Sequence, residues 1–160
     1  NIFCNNIHDQ ITIIPFALSK EMGSNLMKFT STEWGGALST FGENTGWDGK
    51  NIKDIFAFKT FGCSMDEVVS LLNIPQPDYI KIDVDGIEHL ILKGGQIVLK
   101  NIKGLLIEIN DNYKEQAEKS KKLLLDSNLT FEGKKHNEIF FKNSNFSQVY
   151  NQIWSRKNNL

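Results

Sequence analysis

The chain has 160 residues, 40% hydrophobic and 11% aromatic, a one-domain length with enough apolar material for a core, which excludes global disorder. Its 18 Lys and Arg nearly balance 19 Asp and Glu, for a formal charge of -1. The only arginine is Arg156, so there is no general electrostatic case for nucleic acid or an anionic membrane as partner.

Two cysteines, Cys4 and Cys63, are too few for a disulfide scaffold or a four-cysteine zinc site, and the expected setting is reducing and cytoplasmic. No apolar run approaches the ~20 residues that span a bilayer. The first residue is Asn1 rather than Met, which leaves room for a preceding segment.

Residues 10–18 (QITIIPFAL) are β-branched and apolar and predict a strand, with Pro15 marking an edge, a bulge or its end. Residues 19–51, rich in Gly, Ser, Thr and Asn, predict a long loop with short strand pieces. Ser64 to Asn73 predicts a short helix with Ser64 and Glu67 in capping-box positions, stopped by Pro75 and Pro77. Asp78 to Val84 predicts a buried strand. Residues 86–100 carry a helical apolar period that Gly94 and Gly95 interrupt, by a kink or by tight packing.

Lys103 to Ile109 predicts a second buried strand and Tyr113 to Ser127 a charged helix. Residues 129–132 and 138–141 predict a hairpin, and 143–160 a polar tail or helix. Strands alternating with helices imply crossover connections and a mainly parallel sheet in one α/β domain spanning 1–160.

In open α/β sheets ligands bind beyond the carboxyl ends of the strands. That rule selects Asp83, Asp85, Glu88 and His89 after the strand at 78–84, and Glu108, Asn110 and Asp111 at the end of 103–109. If the two strands are neighbours, these groups converge on one rim. The bland alternative is that Asp85 caps the following helix and Glu88 sits solvated in its first turn. Alternation puts Lys81 and Asp83 on one face, where they can pair. Oxygen and nitrogen groups of this kind suit Mg, Mn or Zn, but no paired-His or CxxC spacing occurs, and no metal ligand is assigned. His8 and His136 are expected at the surface and Cys63 buried and inert. Trp34, beside Gly35 and Gly36, is expected to pin its loop. No GxGxxG or P-loop motif is present.

PDYIKIDVDGIEHLILKGGQIVLKNIKGLLIEI (Pro77 to Ile109) resembles the most characteristic stretch of the FkbM-type methyltransferases, with Asp85 where the family usually has glutamate. NIFCNNIHDQITIIPFALS and WGGALSTFGE resemble segments upstream of it, so the resemblance runs from Asn1 to about Phe141. It implies a Rossmann-like class I methyltransferase fold, a mainly parallel sheet in strand order 3-2-1-4-5-7-6 with a C-terminal antiparallel hairpin. This chain would lack the first two strands and with them the Gly-rich cofactor loop.

The resemblance further implies S-adenosylmethionine as cofactor and O-methylation of a small hydroxylated molecule, of sugar or natural-product type. Ala17, Leu18 and Asp83 would lie at the cofactor and Asp83, Asp85, Glu88 and Glu108 at methyl transfer. Asp83 or Asp85 is the expected base and Glu108 orients the substrate. With its main binding loop missing, the chain is expected to bind S-adenosylmethionine poorly by itself. Loss of two strands would also drive self-association, or bring 10–18 over to pair with 78–84. Two other classes stay open: a metal-dependent hydrolase on the same carboxylate rim, and a non-catalytic interaction module.

Overall fold

The computed structural model describes residues 2–136 and 144–157. Among them the elements follow the order β1 (Ala17–Leu18), β2 (Gly23–Phe29), β3 (Ser39–Phe41), β4 (Phe56–Cys63), α1 (Met65–Leu71), β5 (Tyr79–Ile82), α2 (Glu88–Lys93), α3 (Gln96–Leu99), β6 (Gly104–Asn110), α4 (Lys114–Asp126), β7 (Thr130–Lys135) and β8 (Val149–Ser155).

They build two four-stranded sheets, one ordered β1-β4-β2-β3 and the other β5-β6-β8-β7. Only β1–β4 and β5–β6 pair in parallel; the other four pairings are antiparallel. The expected mainly parallel Rossmann-like sheet is therefore corrected. The reason lies in residues 19–63, where β2 and β4 pair antiparallel along their full lengths, Gly23 opposite Gly62 through Phe29 opposite Phe56.

Three expectations hold from Ser64 onward. β5 and β6 lie side by side in parallel, Tyr79 beside Gly104 through Ile82 beside Ile107, with α2 and α3 making the crossover. Ser64 caps α1: its Oγ accepts the Glu67 N–H at 3.2 Å while Glu67 Oε2 accepts the Ser64 N–H at 2.8 Å. The helix over 86–100 breaks at Gly94 and Gly95, because a Cβ on Gly94 would run into the backbone carbonyls of Ser19 and Lys20, and one on Gly95 into the Met65 side chain.

The chain ends differ more. Of the predicted strand 10–18 only Ala17 and Leu18 pair, parallel to Gly62 and Cys63 of β4. Pro15 has no N–H to give, and Ile13 stands 70% exposed. Segment 10–18 therefore does not move over to pair with β5, because β4 supplies it an edge. The loop predicted over 19–51 contains the whole of β2. At the other end β7 pairs with β8; the segment 138–141, the other half of the predicted hairpin, lies outside the described residues. The expected polar tail is a strand hydrogen-bonded on both sides, β6 on one and β7 on the other.

The core is built on the second sheet: Ile82, Leu105, Ile107, Ile109 and Trp154 meet Ile91, Leu92, Val98, Leu99 and Leu124 from the helices. Phe41 of β3 and Met65 of α1 join the same cluster. Arg156 closes the far end. Its guanidinium donates to the carbonyls of Ile102 at 2.9 Å, Leu99 at 2.8 Å and Ser127 at 3.0 Å. These carbonyls belong to the ends of α3 and α4 and the turn after α3, groups a helix cannot satisfy itself.

Candidate active site

Because β5 and β6 run in parallel, the segments leaving them emerge at one edge. Asp83 follows β5 directly, one residue past the Ile82–Ile107 pair, which sets it beside Glu108 on the same face. Lys81, two residues back on that face, forms an ion pair with Asp83, as alternation suggested. Glu108 is half-buried, and burial first, then the charges of Asp83 and Asp85, push its carboxyl up to about 7 against the pull of Lys81. Asp85 turns toward the first sheet, where Oδ2 accepts the Ser39 N–H of β3 at 2.9 Å. Burial raises its carboxyl too, opposed by the N–H groups of Ser39 and Leu38.

Glu88 is 1% exposed, so the solvated first-turn reading does not hold. Its carboxylate accepts from Gln116 Nε2 of α4, whose Oε1 in turn accepts the Asn110 N–H at 2.9 Å. Asn110 Nδ2 donates to the Trp47 carbonyl at 3.1 Å. Burial pushes the Glu88 carboxyl to about 8, with a smaller contribution from the Glu108 charge. Glu108 is thus in electrostatic reach of Asp83, Asp85 and Glu88. They enclose a cavity of only about 20 Å³, lined in part by Asp85, Glu88, Glu108, Trp47 and Phe146. The 44–52 turn seats here on Gly86, whose φ of 108° and lack of a Cβ let it approach the Gly46 carbonyl. Trp47 packs on Phe146 with ring centroids 4.4 Å apart.

An open groove of about 570 Å³ leads to the rim along the free edge of β5. Ala17, Leu18, Phe41, Ile80 and Ile82 floor it, and Asp83 and Asp85 stand at its end. Ala17 and Leu18 therefore share one concavity with Asp83 and Asp85.

Other candidates lie apart. His89 is buried on the α4 side of α2, its ring edge-on to Tyr113, and burial lowers its affinity for a proton. Asp111 pairs with Lys134 of β7. Cys63 is buried and its thiol is raised by that burial, in keeping with an inert role. His8 is exposed, but His136 is half-buried against the Tyr150 ring. Trp34 is fully exposed and pins nothing among the described residues. No group of three or more His, Cys, Asp or Glu among the described residues could hold a metal ion, and no helix there is long and apolar enough to cross a membrane.

Gln116 and Trp47 went unnoticed in the sequence. Gln116 sits within a charged helical stretch, where only its two-turn offset from Leu123 and Leu124 hinted at the inner face. Trp47 carried no signal, since its role depends on where its turn docks.

Compared with known proteins, the chain matches the family model described as Methyltransferase FkbM domain over residues 1–148. No curated protein and no solved structure matches it. A match of this extent, with the motif of Pro77 to Ile109 forming the rim, means that the chain belongs to the FkbM methyltransferase domain family.

Proposed function

We propose that the chain works as an S-adenosylmethionine-dependent O-methyltransferase on a small hydroxylated molecule of sugar or natural-product type, with Glu108 as the group that takes the acceptor's proton. The observation that carries this reading is a half-buried carboxyl poised at about 7 beside the end of an apolar groove. A general base works best when its proton affinity lies near the operating pH.

The groove fits part of the cofactor: a floor of Ala17, Leu18, Phe41 and Ile82 suits a flat apolar base, and Asp83 and Asp85 offer acceptors at its end. When bound, the cofactor supplies an electrophilic methyl group carried on a sulfonium. Asp85 already accepts from the Ser39 N–H and holds the two sheets at a set distance. Asp83, paired with Lys81, shapes the field around the reacting hydroxyl. Glu108 would take the acceptor's hydroxyl proton as the methyl carbon exchanges its bond to sulfur for one to oxygen, leaving the cofactor a neutral thioether. This exchanges the roles expected from the sequence, because the structure ties Asp85 to backbone and leaves Glu108 poised.

The test is transfer of a labelled methyl group from S-adenosylmethionine to a panel of monosaccharides and small alcohols. Transfer that falls about 100-fold or more in Glu108→Gln supports the reading. Undiminished transfer in Glu108→Gln, or no transfer to any acceptor, overturns it.

A further inference from the structure

β8 lies wholly beyond the family match, which ends at residue 148, yet it places one polar side chain directly against the rim. Asn151 is in register with Glu108 across the antiparallel β6–β8 pair. Directly opposed residues share a face with Cβ atoms about 4.5–5.5 Å apart. Its same-face neighbours along β8 are Val149 and Ile153, so this amide stands between two apolar residues. Its Oδ1 is buried and, among the described residues, has no hydrogen-bond partner. An unpaired buried carbonyl is costly. The group opposite is a carboxyl, also rich in acceptors; two acceptors face each other favourably only when one carries a proton.

We infer that Asn151 is a positioning residue for Glu108: its Oδ1 accepts the proton of the neutral Glu108 carboxyl and thereby fixes that acid at the rim. The inference rests on the reading of the rim as the acceptor-facing site. The other groups facing Glu108 agree with it. Asp83 and Asp85 after β5 and Glu88 on α2 favour a neutral neighbour, and Lys81 on β5 opposes them. Lys135 of β7, in register with Asn151 on its far side, is exposed. Burial and the two aspartate charges already raise the Glu108 carboxyl to about 7, so near neutral pH both forms are populated. The amide oxygen then holds the carboxyl in one orientation between proton uptake and release.

The test is a carbon-detected NMR titration of glutamate carboxyls in the whole chain, with Glu108→Gln to assign the resonance. Asn151→Ala removes the acceptor and is expected to weaken proton binding at Glu108 about tenfold, one net hydrogen bond's worth. Asn151→Asp sets a charged acceptor there and is expected to strengthen it. A Glu108 midpoint that stays put or rises in folded Asn151→Ala overturns the inference. If Asn151→Ala does not fold, the near-isosteric Asn151→Leu, which also lacks the acceptor, decides: a lowered midpoint supports the pairing and an unchanged or raised one overturns it. These titrations need no methyl transfer. Coupling without label transfer retires the functional reading and leaves the pair standing, and transfer without coupling does the reverse.

Discussion

The two sheets solve different problems. In the second, β6 is paired on both sides and its inner face is sealed by helices, so Ile107 is 0% exposed. In the first, β4 pairs with β2 along its length but with β1 only at Gly62 and Cys63, and Phe58 remains 44% exposed, its ring 5.8 Å from that of Phe29 and 5.9 Å from that of Phe56. Burial and two-sided pairing together separate Ile107 from Phe58. The second sheet holds the chain folded, and the first leans on it through a small set of contacts: Asp85 to Ser39, Phe41 into the core, and Gly94 against Ser19 and Lys20.

The sharpest way to break this contrast is a pair of truncations. Ile107→Ala is expected to cost about 2–5 kcal/mol, the range for emptying a packed site. Phe58→Ala should cost less, about 1–2 kcal/mol, the loss of its ring contacts with Phe29 and Phe56 and part of its burial. Urea unfolding measures both, and equal costs would abolish the distinction.

The next effect is a pH dependence confined to the second sheet. Glu88 and Glu108 have folded-state proton affinities raised above their ordinary value of 4.5, to about 8 and about 7. The folded state therefore binds more protons than the unfolded one between these values. The stabilisation from their neutral forms is complete below about pH 4.5 and is lost as pH rises through 7 and then 8. Melting temperature should fall between about pH 5 and about pH 9. Glu88→Gln, which keeps shape without a charge to bury, should flatten most of that fall. An unchanged slope in Glu88→Gln would show that its burial is not what drives it.

The smallest effect concerns the joint. Asp85→Ala leaves the Ser39 N–H without its acceptor and should cost about 1–2 kcal/mol. Asp85→Asn, whose amide oxygen still accepts, should cost less. Hydrogen exchange at Ser39 should quicken in the alanine variant while the amides of β6 stay as protected as before. A uniform loss of protection would mean that the sheets open together.

What could be read in the sequence follows the same division. Ile82, Leu105, Ile107 and Ile109 are buried and Ile80 partly so, and they form dense apolar runs, so β5, β6 and their crossover were legible, and the carboxylates at their ends with them. β2 reads GSNLMKF and is partly solvated on both faces, so no alternation marks it. β8 reads VYNQIWS, and its polar members stand between apolar ones because one face meets the rim. Strands alternating with helices predict a parallel sheet, but β2 and β8, whose pairings are antiparallel, carry no such pattern in their residues. The burial of Glu88 was hidden because its partner, Gln116, lies 28 positions away.

The Arg156 fork has a practical consequence for anyone shortening this protein. By apolar content the folded unit closes at Trp154, and trimming just after it looks harmless. It is not: three main-chain carbonyls at two helix ends converge on that one guanidinium. Lysine, with a single ammonium, cannot span them. A charged residue just past β8 therefore ties the ends of α3 and α4 together, and its removal is expected to loosen both while every core side chain stays in place.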